Sequence, residues 1–133
     1  MLWNETLSVG VKTLDDDHKK LVDMINELVD GITSNRRQES LSQILDKLIH
    51  YTRFHFRREE EYFARTGYTA AAHHASEHRE LIRQVTDLQA RFRSGGASLL
   101  SLEVMKFLKE WLVHHIMVED KNYRAHLNAN GIR

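Results

Sequence analysis

The chain has 133 residues, with 19 Lys plus Arg against 19 Asp plus Glu, no proline and no cysteine. That length supplies one domain with a single core. The missing cysteines exclude disulfides, thiolate metal sites and thiol catalysis, and the zero formal charge argues against broad electrostatic binding of nucleic acid. Scarce glycine and absent proline favour a mostly helical chain. No apolar run reaches membrane-spanning length and no signal-like N-terminus is present, so a cytoplasmic protein without a membrane partner is expected. The unusual component is histidine, present nine times.

Residues 1–14 read as an irregular arm, apolar at Trp3, Leu7, Val9 and Val11, with Gly10 permitting a bend. They have no partner strand, so an extended arm lying on the helices is predicted. A first helix is expected from Asp15 or Asp16, where aspartates supply capping oxygens and favourable charge, to about Ser34. Its apolar stripe is His18, Leu21, Val22, Ile25, Leu28, Val29 and Ile32. After a polar connection, a second helix runs from Gln38 or Glu39 to Ala64, with Gly67 as a left-handed stop. Leu41, Leu45, Leu48, Thr52, His55 and Glu59 share its apolar face. A third helix from Thr69 to Arg93 carries Ala71, His74, His78, Leu81, Val85, Leu88 and Phe92 at alternating three- and four-residue spacing. Ser94-Gly95-Gly96 is the clearest break. A fourth helix, from Ser98 or Ser101 to Asn128, carries Val104, Leu108, Trp111, Leu112 and His115, followed by Val118 and Glu119.

Four amphipathic helices with short connections predict an all-α, antiparallel up-down-up-down four-helix bundle with an extended N-terminal arm. In that topology, starts of odd helices and ends of even helices share one end of the bundle. His18, His55 with Glu59, His74 with His78, and His115 with a nearby carboxylate then fall at similar depth. A buried polar group costs several kcal/mol unless satisfied, and a metal can satisfy all of these together. Five histidines and two carboxylates exceed the ligand set of one ion and suit two bridged ions. An imidazole-rich set points to iron, manganese, zinc or copper rather than calcium or magnesium. The second carboxylate is open at this stage. Glu119 lies four residues from His115 and shares its face, whereas Asp120, five along, is turned by about 140° on an ideal helix.

The motifs resemble the hemerythrin family in its single-domain bacterial branch. They are Trp3 with the Ser8-Val9-Gly10-Val11 arm, Asp15-x-x-His18-x-x-Leu21, His55-Phe56-x-x-Glu59, His74-x-x-x-His78 and Trp111-Leu112-x-x-His115-Ile116-x-x-x-Asp120. The resemblance covers nearly the whole chain and implies one domain over 1–133, with an arm at 1–14 and a bundle at 15–130. It also implies a non-heme di-iron cofactor. His74, His78 and His115 would hold one iron and His18 and His55 the other. Glu59 and Asp120 would bridge them with an oxo or hydroxo group, and one position would be left for dioxygen. This implied choice of Asp120 over Glu119 requires a locally loosened helix turn or a short Asp reaching in from the flank. Leu21, Phe56, Trp111, Leu112 and Ile116, beside the ligands in sequence, are the expected apolar wall of the oxygen pocket.

The expected function is reversible dioxygen binding for storage, delivery or scavenging, by a binding protein rather than an enzyme. One rival is an oxygen or redox sensor domain of a signalling protein, although the chain has its own Met1 and nothing in it resembles an output domain. Another is a di-iron oxidase or peroxidase, which is disfavoured because ferritin-like oxidases use Glu-x-x-His motifs and more carboxylates. A third is an iron-binding store. Glu60 and Glu61 read as a solvated face or as partners of Arg57 and Arg58. Asp15 reads as a helix cap. His50, His73, His114 and His126 fall off the ligand pattern.

Overall fold

The computed structural model of the chain describes residues 3–34, 38–95 and 102–133; the side chains of residues 38, 95 and 102–105, including Val104, lie outside that description. So do Gly96 and the expected fourth-helix starts at Ser98 and Ser101. The chain is an all-α four-helix bundle. It is built from α1 (Lys12–Thr33), α2 (Gln38–Thr66), α3 (Ala71–Gly95) and α4 (Leu102–His114), followed by a π-turn at His115–Glu119, a 3-10 turn at Asp120–Tyr123 and a short α5 (Arg124–Ala129). Helix α2 packs on α1 and α3, and α4 closes against α1. Among the described residues, no helix is long and apolar enough to cross a membrane.

The predicted stripes form the core. Leu21, Val22, Ile25 and Leu28 of α1, Leu41, Leu45 and Leu48 of α2, Val85 and Phe92 of α3, and Leu108 and Leu112 of α4 are all buried. Thr52, on the α2 stripe, is satisfied internally: its hydroxyl donates to the Leu48 carbonyl at 2.7 Å. Gly67 has φ +67 and stops α2 as expected.

The N-terminal arm differs from the expectation in two ways. It contains a 3-10 turn at Glu5–Leu7, capped by Asn4, and it ends at Val11, because α1 starts at Lys12 rather than Asp15. Asp15 therefore does not cap the helix. It lies inside the first turn and accepts from Ser8 Oγ at 2.6 Å and Val9 N at 2.8 Å, so it fastens the arm to the bundle. Leu7, Val9 and Val11 are buried by that arrangement. Gly10 has φ +73, and a Cβ there would collide with the Arg124 side chain. Asn128 Nδ2 donates to the Gly10 carbonyl at 3.0 Å, tying the arm to α5 as well.

Candidate metal centre

The sequence placed a histidine or carboxylate on the apolar face of each helix, and the bundle brings these groups together. His18, His55, Glu59, His74, His78, His115 and Asp120 are all buried. They form two overlapping groups, Glu59 with His74, His78, His115 and Asp120, and His18 with His55, Glu59 and Asp120. Within each group the candidate ligand atoms lie within 4.8 Å of one another. The two carboxylates are the members in common. Asp120 divides its oxygens: Oδ2 is 2.9 Å from His18 Nε2, and Oδ1 is 3.0 Å from both His74 Nε2 and His115 Nε2. Glu59 Oε1 is 3.2 Å from His55 Nε2 and 3.1 Å from His78 Nε2.

The backbone explains why Asp120 occupies this place although it is five residues from His115. At His115–Glu119 the helix widens to a π-turn, and the Asp120 N–H reaches the carbonyl of His115. That one-residue expansion brings position i+5 back under position i. Glu119 is turned outward toward His73, with Oε2 3.6 Å from Nε2. The predicted stripe consequently breaks, and Val118 is 45% exposed instead of buried.

Sequence reasoning missed the carboxylates behind the histidines. Asp17 is buried and faces His55 Nδ1 at 3.0 Å. It also accepts from the Tyr51 hydroxyl at 2.7 Å and pairs with Arg58 Nη1 at 3.3 Å. Glu60 Oε2 lies 3.1 Å from His78 Nδ1, so Glu60 is not simply a solvated residue, and Arg58 pairs with Asp17. Each carboxylate accepts the Nδ1 proton, which fixes the ring so that Nε2 faces the cluster and is the atom offered to a metal. Phe56 stacks on His78 with ring centroids 3.7 Å apart and planes 3° apart, which fixes that imidazole from a second side.

The electrostatics are those of a tightly interlocked charge cluster. Burial disfavours the charged form of His55, but the Glu59 charge, the bond to Asp17 and the close approach of Glu59 outweigh it and raise the imidazole to about 10. His74 is also raised to about 10 against burial, by its close approach to Asp120 and Glu59 and by their charges. Burial pushes Glu59 upward, yet His55, His74 and His78 hold it well below the usual carboxylate range. Asp120 is depressed despite burial and the Glu59 charge, because His115 and His18 face it. Burial, with the Glu59 and Asp120 charges, keeps the Tyr123 phenol protonated far above its ordinary value.

The donor atoms fit a cation. Both oxygens of Glu59 and Asp120, and Nε2 of His74, His78 and His115, are buried without a hydrogen bond of acceptable geometry. Such orphaned atoms are rare unless an ion or water satisfies them. Imidazole nitrogens with carboxylates that belong to two groups at once suit a pair of transition-metal ions.

The Hemerythrin HHE cation binding domain matches residues 9–127. The chain belongs to the hemerythrin family. It is 36% identical over 130 residues to the bacteriohemerythrin of Methylococcus capsulatus, covering 97% of this chain and 98% of that one. It is 32% identical over 132 residues to the bacteriohemerythrin of Stenotrophomonas maltophilia, covering 96% and 84%. A crystal structure of wild-type hemerythrin superposes with a TM-score of 0.88 at 34% identity, covering 96% of this chain and 97% of that chain. As a hemerythrin-family chain, this protein carries a His/Glu/Asp cluster able to hold metal in a helical bundle.

Proposed function

We propose that the chain binds dioxygen reversibly at a non-heme di-iron centre, acting as a binding protein for storage, delivery or scavenging. The observation that carries this reading is the pair of overlapping ligand groups with Glu59 and Asp120 in common. His74, His78 and His115 would hold one iron and His18 and His55 the other, with Glu59 and Asp120 as ligands available to both. Once bound, two irons would supply the two electrons that reversible dioxygen chemistry requires.

The chain's own residues set the conditions for binding without turnover. Asp17 and Glu60 hold the outer protons of His55 and His78, so neither imidazole can rotate or swap tautomer freely. Leu21, Phe56, Trp111, Leu112 and Ile116 are buried and would form the apolar wall. Such a wall excludes water and slows proton delivery to a reactive site. Tyr123, fully buried and held in its phenol form, adds a neutral rather than charged neighbour to Glu59 and Asp120. The test is anaerobic loading with ferrous iron, followed by iron analysis and measurement of dioxygen uptake. About two irons and one dioxygen per chain are expected, with dioxygen recovered under vacuum. Continuous consumption of dioxygen, with no recovery, would instead favour an oxidase.

A further inference from the structure

Among the described residues, three buried hydrogen-bond donors other than histidine have no partner: the indoles of Trp3 and Trp111 and the hydroxyl of Tyr123. A buried unpaired donor is uncommon enough to need a reason. Tyr123 is fully buried, and its backbone aims it at the metal centre. It closes the 3-10 turn Asp120–Tyr123, in which side chains three residues apart eclipse. Tyr123 therefore leaves the turn on the same side as Asp120.

Two neighbours hold its ring. The Tyr123 centroid lies 5.4 Å from that of Phe63 and 5.7 Å from that of His74. Phe63 is one turn beyond Glu59 on α2, so the same packing brings the phenol beside Glu59. Both Glu59 oxygens also lack a hydrogen bond. Burial first, and then the charge and proximity of Glu59, keep the phenol in its donor form.

The surroundings of Glu59 explain why a neutral donor matters. His55, His74 and His78 all approach it at Oε1, with Nε2 at 3.2, 3.8 and 3.1 Å. Each of those nitrogens is a candidate metal ligand, and a ligating nitrogen has no proton to donate. With metal bound, none of the three can fix the carboxylate through a hydrogen bond, whereas a phenol keeps its proton and can.

We propose that Tyr123 is a positioning residue of the metal centre, donating its O–H to the Glu59 carboxylate and so holding it where both histidine groups share it. The proposal rests on the metal-centre reading above and adds a residue that is not itself a ligand. The π-turn and the 3-10 turn after it then serve one purpose, since together they bring in the Asp120 carboxylate and the donor that steadies Glu59.

The test compares Co²⁺ affinity, by chelator competition, in full-length wild type, Tyr123→Phe and Phe92→Leu. Tyr123→Phe removes one oxygen and keeps the ring. It should bind Co²⁺ about 10-fold more weakly than wild type, with shifted visible cobalt bands, while the metal-free variant keeps its helix content and Tm. Phe92 is buried far from the cluster, about 21 Å along α3 from His78. Phe92→Leu should lower the Tm of the metal-free chain yet leave affinity and bands at wild-type values, which separates lost packing from a lost hydrogen bond. Wild-type affinity and bands in Tyr123→Phe would overturn the proposal while leaving the metal centre standing. So would the ultraviolet signature of a deprotonated phenol that appears on loading the wild type and is absent from Tyr123→Phe, because Tyr123 would then be a ligand. An equal loss of affinity in Phe92→Leu would assign the effect to packing and overturn the proposal as well. No Co²⁺ uptake by the wild type would overturn the metal-centre reading, and this proposal with it.

Discussion

Asp17 Oδ2 lies 3.0 Å from His55 Nδ1, across 38 residues of sequence and the α1–α2 interface. With Tyr51 and Arg58 on its other side, Asp17 is held in place to orient one imidazole. Asp17→Ala is expected to weaken metal binding at the His18/His55 position by about 10- to 100-fold. Tyr51→Phe, which keeps the carboxylate, should have a smaller effect. Competition with a chelator measures both. Equal metal affinity in Asp17→Ala and wild type would show that the contact does not position His55.

The π-turn makes a sharp distinction between adjacent carboxylates. Asp120→Ala should lose most bound iron, while Glu119→Ala should keep the wild-type iron content, because only Asp120 faces His18, His74 and His115. Iron analysis after desalting separates them. Retained iron in Asp120→Ala and loss in Glu119→Ala would reverse the assignment.

Metal uptake should release protons. His55 and His74 are raised to about 10, so in the metal-free chain both are imidazolium at neutral pH. A cation must displace a proton from each, giving about two protons per chain on loading. Calorimetry in buffers of different ionisation enthalpy counts them. The same shifts set the stability of the metal-free chain. The raised histidines contribute fully below their ordinary value of 6.5, and their contribution is lost as pH climbs toward 10. The depressed Glu59 and Asp120 contribute above the ordinary carboxylate range and lose that contribution as pH falls. The Tm of the metal-free chain should therefore peak at about pH 5 to 6.5. A Tm that rises between pH 6.5 and 9.5 would contradict this balance.

Leu112 is 2% exposed and follows Trp111 on the face that leads to His115. A hydroxyl at this position would bring water or a proton donor toward the proposed oxygen pocket. Leu112→Thr is expected to shorten the lifetime of the oxygenated protein several-fold, followed as spectral decay in air. Autoxidation at the wild-type rate would remove Leu112 from the wall.

Much of the bundle was legible because polar residues on apolar stripes have few alternative explanations. His18, His55, Glu59, His74 and His78 follow directly from helical spacing, and all are buried at one cluster. Asp120 was not derivable from an ideal helix, since the geometry that buries it is a π-turn whose backbone pattern depends on tertiary packing. Asp17 was hidden among three aspartates that read as helix-capping charge. The available clue was its place on the edge of the core stripe, four residues before Leu21 and eleven before Leu28. Glu60 was obscured by Arg57 and Arg58, whose sequence proximity favoured local pairs over the inter-helix contact with His78. The start of α1 was misplaced because Val11 provides no side-chain cap, so the visible capping residues lie one turn inside the helix.

The central claim is tested most directly by optical titration of the iron-loaded, anaerobically reduced chain with dioxygen. The expected result is a colourless protein that becomes coloured on oxygenation and colourless again when dioxygen is removed, over repeated cycles, with about two irons per chain. A chain that takes up no iron, or whose colour change cannot be reversed by removing dioxygen, would contradict it.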